Sequence, residues 1–217
     1  MSIDSIDDVT ELSAIERDAL AEIANIGAGR AAANLRQMIG QEVLLSVPGV
    51  GIVSRRAASE LVERDGVSKL VSVQQSFEGP FAGRALLIFP ESQSLELVQS
   101  MLGDARPEDV TELQQEALAE TGNVILNGCL ATIANVLRKT MRMSLPAVFR
   151  GDGVTLFEAG RENGNLVLLL YIDFAIRNRD IGGFIALLMD PPSILALKKI
   201  VRDLIDGIRR DPACNDV

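Results

Sequence analysis

The sequence predicts an α+β fold made of two similar halves, with about six mainly antiparallel strands and two long helices on one face of the sheet. Three observations support this prediction: an ungapped internal repeat, a helix-start signal at the same point of each copy, and paired apolar strand-like segments after each helix. Because each half is small, we expect a single domain over residues 1–217. Its repeats, at about 13–103 and 111–209, should be related by a pseudo-two-fold rotation.

The repeat aligns residues 13–48 with residues 111–146 at a constant offset of 98. Polar positions match as well as apolar ones, and the matches include Ala19-Leu20-Ala21-Glu22 with Ala117-Leu118-Ala119-Glu120, Asn25 with Asn123, Ser46 with Ser144, and Pro48 with Pro146. The residues between these positions differ widely. Retention of Glu, Asn and Pro in phase therefore favours a function for them over chance.

Each copy opens with a capping box, whose side chains hydrogen-bond the free N–H groups of a first helical turn. The boxes begin at Ser13 and Thr111, so we predict helices over about 14–39, ended by Gly40, and over about 112–139. A β-rich segment follows each helix and ends at the proline, because a residue without an N–H suits a strand end or an edge.

The other elements are predicted from apolar periodicity and turn residues. They are strand pairs at about 69–90, with a turn at Glu78-Gly79-Pro80, and about 165–189; helices at about 92–102 and 193–208; a short helix within 54–66; turns around a short strand within 151–164; and frayed termini at 1–12 and 210–217.

Composition excludes several classes of protein. The formal net charge of −9 argues against a nucleic-acid partner. The absence of histidine removes Ser-His-Asp and Cys-His nucleophile pairs and histidine metal sites. Cys129 and Cys214 lack the spacing of a disulfide framework, and we interpret Cys129 as a core residue rather than a reactive thiol. Without a long apolar run or a secretory leader, a cytoplasmic protein with no membrane insertion is expected.

A polar stripe follows one face of each long helix, because positions i, i+4 and i+7 share a face. The stripes are Asp18, Glu22 and Asn25 in the first helix and Glu116, Glu120 and Asn123 in the second. Either stripe alone is typical of a solvated amphipathic helix, but their repetition favours a functional site. The helices are predicted to be anchored by the flanking apolar residues Leu20, Ile23, Ile26, Leu118 and Val124.

Glycines inside the long helices indicate close contacts, because each costs about 1 kcal/mol relative to alanine there. Gly27 and Gly29 allow either tight helix packing or room for a partner's surface beside Asn25. They do not form a dinucleotide-binding loop, which needs a preceding strand and a third glycine. In the second helix we expect Gly122 to leave open space beside Asn123.

These residues resemble the motif of the CheC/CheX/FliY family of chemotaxis phosphatases, chiefly of its CheC-type members. The motif is Asp or Ser, three residues, Glu, two residues, Asn, 22 residues, and Pro. The first copy matches the motif in full with Asp18, Glu22, Asn25 and Pro48. The second copy consists of Glu116, Glu120, Asn123 and Pro146, and its first residue is Glu in place of Asp or Ser. The likeness covers nearly the whole chain.

The resemblance implies hydrolysis of the aspartyl phosphate on a CheY-like response regulator, and the receptor deamidase CheD as a further partner. Asn25 and Asn123 would each position an attacking water, while Glu22 and Glu120 would pair with the regulator's lysine. The first residue of each motif would support docking. The protein would need no cofactor or metal of its own, because Mg²⁺ is expected in the regulator.

Two other functions stay open at this point. A CheC-like binding module could hold regulator or CheD with little turnover, and a Mg²⁺-dependent hydrolase of small molecules is a third candidate, although the carboxylates form no evident metal cluster. If both sites are catalytic, Asn25→Ala and Asn123→Ala should each remove one site's share of turnover, with the second site carrying more. Glu22→Ala and Glu120→Ala should weaken docking.

Overall fold

A computed structural model describes residues 11–63, 69–102, 110–158, 166–176 and 179–210, which form six helices and seven strands. In chain order they are α1 (Ala14–Ile39), β1 (Val43–Ser54), α2 (Arg55–Val62), β2 (Leu70–Glu78), β3 (Gly83–Pro90), α3 (Glu91–Leu102), α4 (Val110–Val136), β4 (Arg142–Met143), β5 (Ala147–Gly151), α5 (Gly153–Glu158), β6 (Leu166–Ile176), β7 (Arg179–Met189) and α6 (Pro191–Arg210).

All seven strands belong to one antiparallel sheet in the order β1-β6-β7-β3-β2-β4, with β5 also paired to β2. The predicted α+β class is confirmed. There are seven strands rather than about six, because the predicted second β-rich segment forms only the short strand β4 and a further strand, β5, begins after Pro146, where that segment was predicted to end. The order is unchanged when the strands of one half are exchanged for those of the other, as a duplication would produce, but the duplication itself stays a prediction.

The sheet separates two apolar cores. The larger core lies on the face covered by α1, α3, α4 and α6, and the smaller one lies under the short helices α2 and α5. Strand β3 contributes side chains to both cores, since Leu87 lies in the larger core while Leu86 and Ile88 lie in the smaller one. The two long helices therefore lie on one face of the sheet, as predicted.

One described segment, Leu113–Val136 within α4, is long and apolar enough to span a membrane by length and composition alone. Most of it is buried inside the protein, against α1 and the sheet. Buried core helices of soluble proteins commonly have this composition, and the larger core here includes four of the most buried α4 residues: Ile125, Leu126, Leu130 and Ile133.

Local sequence signals fix the ends of α1 as predicted. The Ser13 hydroxyl accepts from the Glu16 N–H, and the Glu16 carboxylate accepts from the Ser13 N–H at 2.8 Å. Gly40 ends the helix with a φ of 70°. Burial of the Glu16 carboxyl would raise its pKa, but hydrogen bonds from Ser13 and from Arg202 Nε, at 2.6 Å, outweigh this and hold the pKa below its usual value.

The described end of the N-terminal segment is packed rather than frayed. Leu12 is buried, and the buried Lys198 of α6 donates to the Glu11 carbonyl oxygen at 2.6 Å. The prediction of a frayed segment up to residue 12 is therefore wrong for its last two residues. Residues 1–10 and 211–217, the latter including Cys214, lie outside the described residues.

The predicted bounds of the second long helix are wrong at both ends. Helix α4 has already begun at Val110, so Thr111 is not its N-cap. It ends at Val136 rather than near Lys139, because Arg138 adopts a left-handed φ of 52° and the Lys139 N–H returns to the Ala134 carbonyl oxygen at 2.8 Å.

Residues 153–158 form a helix, α5, where turns around a strand were predicted. The Asp152 carboxylate accepts from the Thr155 N–H at 2.7 Å, which caps the first turn. Leu156 and Phe157 are buried in the smaller core, and this burial stabilises a helix of only six residues.

Gly27 marks a close approach of the two long helices. A Cβ at Gly27 would lie 2.8 Å from Cys129 Cα and 3.0 Å from the Gly128 carbonyl oxygen. Of the two alternatives, tight helix packing therefore applies to Gly27, whereas Gly29 has nothing within 4 Å of its Cβ position. Cys129 is a core residue, as predicted, and burial raises the pKa of its thiol to about 12.

The two glycines of α1 should respond oppositely to the same substitution. Gly27→Ala should lower the free energy of unfolding by about 1–3 kcal/mol, because backbone atoms of α4 must move to admit the methyl group. Gly29→Ala should raise it by about 0.5–1 kcal/mol, because alanine is the better helix former and the position is open. Urea denaturation of both variants measures the difference, and a stabilised Gly27→Ala would contradict this account of the helix contact.

Candidate active site

Both polar stripes lie on the surface, each on one face of its helix. Asp18 and Glu22 on α1 and Glu116 and Glu120 on α4 are exposed. Within the described ranges, neither Glu22 nor Glu120 has a hydrogen bond or an ion pair, so both carboxylates are available to a partner. Asn25 and Asn123 are half-buried at the sheet side of their stripes.

The flanking apolar residues anchor the helices with one exception. Leu20, Ile23 and Leu118 are buried in the larger core, and Val124 packs against it. Ile26 is 42% exposed, so the prediction that it anchors α1 is wrong. It follows Asn25 directly and adds an apolar surface to the first site.

Both polar atoms of the Asn25 carboxamide hydrogen-bond to backbone groups. Its Oδ1 accepts from the Val47 N–H at 2.8 Å. Its Nδ2 donates to the carbonyl oxygens of Val47 and Ala21, both at 3.0 Å. An amide nitrogen has two hydrogens, so this side chain has no donor left for a ligand.

An irregularity in β1 explains the bonds of Asn25. The register between β1 and β6 shifts between Ser46 and Gly49, which leaves Val47 and Pro48 outside the ladder. Val47 is buried, so its N–H and carbonyl need partners, and Asn25 supplies both. Pro48, without an N–H, suits this point of an edge strand. The predicted strand end at Pro48 is wrong, because β1 continues to Ser54.

Asn123 has a different set of partners. Its Oδ1 accepts from Gln75 Nε2 at 3.1 Å and from Asn127 Nδ2 at 2.6 Å. Its own Nδ2 has no acceptor among the residues that the structure describes. The second site therefore presents an amide N–H₂ group beside the exposed Glu120, one helical turn away.

The segment after α4 also differs from its counterpart in the first half. Ser144, Leu145 and Pro146 separate β4 from β5, and Gln75 Nε2 donates to the Ser144 carbonyl oxygen at 3.0 Å. Leu145 is 88% exposed, whereas Val47 in the aligned position is 1% exposed. The chain before Pro146 is therefore held by Gln75 rather than by the motif asparagine.

Gly122 does not leave open space beside Asn123, and the prediction that it does is wrong. A Cβ at Gly122 would lie 2.4 Å from the Val73 side chain. The glycine instead allows α4 to approach β2 closely. Because Val73 and Gln75 are on the same face of β2, this approach also brings Gln75 beneath Asn123.

Sequence reasoning missed two members of this site. Asn127 follows Asn123 by four residues, so helical periodicity places it on the same stripe, where the first helix has Gly29. Gln75 is a polar residue at an inward position of an apolar strand, between Val73 and Phe77. Both signals were available, but neither identifies the partner across the fold.

No resident metal centre is apparent in the part of the chain that the structure describes, where no three Cys, Asp or Glu side chains are grouped to hold an ion. The expectation that the protein needs no metal of its own stays a prediction. With no described acidic cluster, what the site offers chemically is a carboxylate for a cationic group and an amide for an oxygen-rich group.

Two family models match the chain. One described as "Chemotaxis phosphatase CheX" matches residues 71–169, and one described as "CheC-like family" matches residues 15–52. The first match contains the stripe on α4, and the second contains the stripe on α1.

Curated relatives match at low identity over part of their length. Flagellar motor switch phosphatase FliY of Bacillus subtilis is 27% identical over 146 residues, which are 66% of this chain and 38% of FliY. CheY-P phosphatase CheC of the same organism is 28% identical over 139 residues, 61% of this chain and 65% of CheC. The chain therefore spans well under half of one relative and about two thirds of the other.

Solved structures with the same fold include FliY of Thermotoga maritima, with a TM-score of 0.72 at 18% identity over 89% of this chain and 98% of that one. The FliM middle domain of Vibrio alginolyticus has a TM-score of 0.62 at 11% identity over 84% of this chain and 99% of that one. At these identities the likeness shows the fold alone, and that fold is shared by proteins with different names.

Proposed function

Since the chain belongs to the CheC/CheX/FliY family, we propose that it is a phosphatase for the aspartyl phosphate of a CheY-like response regulator. The relative named CheY-P phosphatase CheC supports this activity, and the fold and the two stripes are compatible with it. We further propose that it acts in the cytoplasm and that CheD is a second partner.

One observation carries the proposal for this chain: the N–H₂ group of Asn123, which has no acceptor among the described residues, lies beside the exposed carboxylate of Glu120. An aspartyl phosphate is an acyl phosphate, so its hydrolysis needs a positioned water more than a strong base. An amide that donates to the water oxygen restricts the water's position while leaving a lone pair for attack.

In the proposed reaction, water forms a new bond to phosphorus while the bond from phosphorus to the aspartyl oxygen breaks. The electron pair of the broken bond stays on the regulator's aspartate as carboxylate. The water's proton passes to the departing phosphate or to solvent. The regulator's own Mg²⁺ would neutralise charge on the phosphoryl oxygens. This chain would supply Asn123 to position the water and Glu120 to hold the regulator's lysine.

The first stripe favours a second candidate function, binding without turnover. Asn25 has no donor left, but Glu22 and Asp18 are exposed and Ile26 adds an apolar contact. A site with this composition can dock a partner without positioning a water.

A turnover assay separates these functions. A CheY-like regulator from the same genome is phosphorylated with a radiolabelled phosphoryl group, freed of the phosphodonor, and followed with and without catalytic amounts of the protein. We expect phosphate release above the regulator's own rate. Binding to the phosphorylated regulator without faster release would support the binding module instead.

A further inference from the structure

We propose that Gln75 is a positioning residue for Asn123, one that holds its carbonyl inward and its N–H₂ group toward the partner. This inference rests on the proposed phosphatase function, because it assigns Asn123 the role of a donor in that reaction. Nothing in the motif itself includes Gln75, which lies on β2 rather than on a motif helix.

A backbone carbonyl sets the direction of every hydrogen bond in this network. The Ser144 carbonyl oxygen can only accept, so Gln75 must turn its Nε2 toward it, at 3.0 Å. The second hydrogen of Nε2 then points to Asn123, at 3.1 Å, and only an oxygen can receive it. Asn123 must therefore present Oδ1 to Gln75, which leaves its Nδ2 on the other side.

Asn127 reinforces the same orientation. Its Nδ2 donates to Asn123 Oδ1 at 2.6 Å, so the carbonyl oxygen of Asn123 accepts two hydrogen bonds. Reversing the Asn123 carboxamide would put N–H groups against two donors. The orientation is thus fixed before any partner binds, which is the condition for a group whose role is positioning.

Gln75 can maintain this contact because it is itself immobilised. It is 2% exposed, and its neighbour on the same face, Val73, packs directly against Gly122 of α4. Strand β2 is held in place along both of its edges, since it pairs with β3 on one side and with β4 and β5 on the other. A side chain on a central strand holds its partner more firmly than one on a loop.

The test compares Gln75→Leu with Gln74→Leu in the full chain. Gln74 is the adjacent residue, 4% exposed on the opposite face, and its amide has no hydrogen-bond partner among the residues that the structure describes. Gln75→Leu should lower kcat for the phosphorylated regulator by about tenfold with little change in KM, because the docking carboxylates are untouched. Gln74→Leu should leave both constants near wild type.

A carboxylate at the same place provides a readout that loss of packing would not produce. An ionised Glu in Gln75→Glu cannot donate to Asn123 or to Ser144, whereas a protonated Glu can donate one hydrogen bond. Burial raises the pKa of such a carboxyl, so kcat of Gln75→Glu relative to wild type should rise as the pH falls from about 8 to about 6. The same ratio for Gln75→Leu should stay flat.

The outcomes distinguish the inference from the function on which it rests. Failure of the wild-type protein to accelerate dephosphorylation would remove the proposed function. An active wild type with unchanged kcat in a folded Gln75→Leu variant would overturn the role of Gln75 alone. Equal losses in Gln75→Leu and Gln74→Leu, or a pH-independent loss in Gln75→Glu, would reduce Gln75 to a packing residue and also overturn it.

Discussion

Asn123→Ala should lower kcat for dephosphorylation of the regulator by about 10²–10³-fold, whereas Asn25→Ala should change it by less than about twofold. The reason is the different state of the two carboxamides. In the described part of the chain the N–H₂ group of Asn123 has no acceptor, while both polar atoms of the Asn25 carboxamide are hydrogen-bonded to backbone. Single-turnover measurements isolate this step from binding when the protein is in excess over the phosphorylated regulator and above the Kd of their complex.

Asn25→Ala should instead reduce stability. It would leave the N–H and carbonyl of the buried Val47 without partners at a point where the sheet offers none. Leaving buried polar groups unpaired costs about 1–3 kcal/mol, so the urea midpoint should fall while turnover at low temperature is retained.

Matched controls exist on both helices. Asn34 on α1 and Asn135 on α4 are exposed asparagines outside the stripes, so their alanine variants should affect neither stability nor turnover by much. Equal losses of kcat in Asn25→Ala and Asn123→Ala would contradict the assignment of a single catalytic site and return the two halves to equivalent roles.

Much of the fold follows from local signals, and these were visible in the sequence. Helix α1 has the predicted bounds because Ser13, Glu16 and Gly40 act within their own turns of the chain. The β2–β3 hairpin follows from two apolar runs separated by a short turn, and the antiparallel pair β6–β7 follows from two apolar runs close together in the sequence. Where the prediction failed, as at α5, a burial contact stabilised a helix that its six residues alone would not form.

The sequence predicted the positions of the motif asparagines but not their hydrogen-bond partners, for a physical reason. The repeat places Asn25 and Asn123 at equivalent positions, but their hydrogen bonds are decided by distant strands. Asn25 hydrogen-bonds to the backbone at a β-bulge near Pro48. Asn123 instead accepts a hydrogen bond from Gln75, which is 48 residues away in the sequence. The sequence shows that Gln75 is a polar residue at an inward strand position. Without the fold it does not show that Gln75 contacts Asn123 or how it orients that carboxamide.

Glu120→Gln should raise KM for the phosphorylated regulator by about 10- to 100-fold while kcat falls much less, because a charge-assisted hydrogen bond across an interface contributes about 1.5–3 kcal/mol. The Glu120 carboxylate is exposed and has no partner among the described residues, so its charge is available to the regulator's lysine. The amide keeps the size of the side chain but loses the charge. The KM of the wild-type protein should accordingly rise with salt more steeply than that of Glu120→Gln.

Glu60→Gln is a suitable control, since Glu60 is also an exposed helical glutamate but lies on α2, on the opposite face of the sheet, where it pairs with Arg56 at 2.9 Å. Removing this surface pair should change KM little, because it is far from the α4 stripe and worth at most about 1 kcal/mol to stability. A double-mutant cycle between Glu120→Gln and neutralisation of the regulator's active-site lysine completes the test. Additive effects in that cycle would show that Glu120 contacts some other group, and the proposed docking pair would have to be abandoned even if Asn123 proved catalytic.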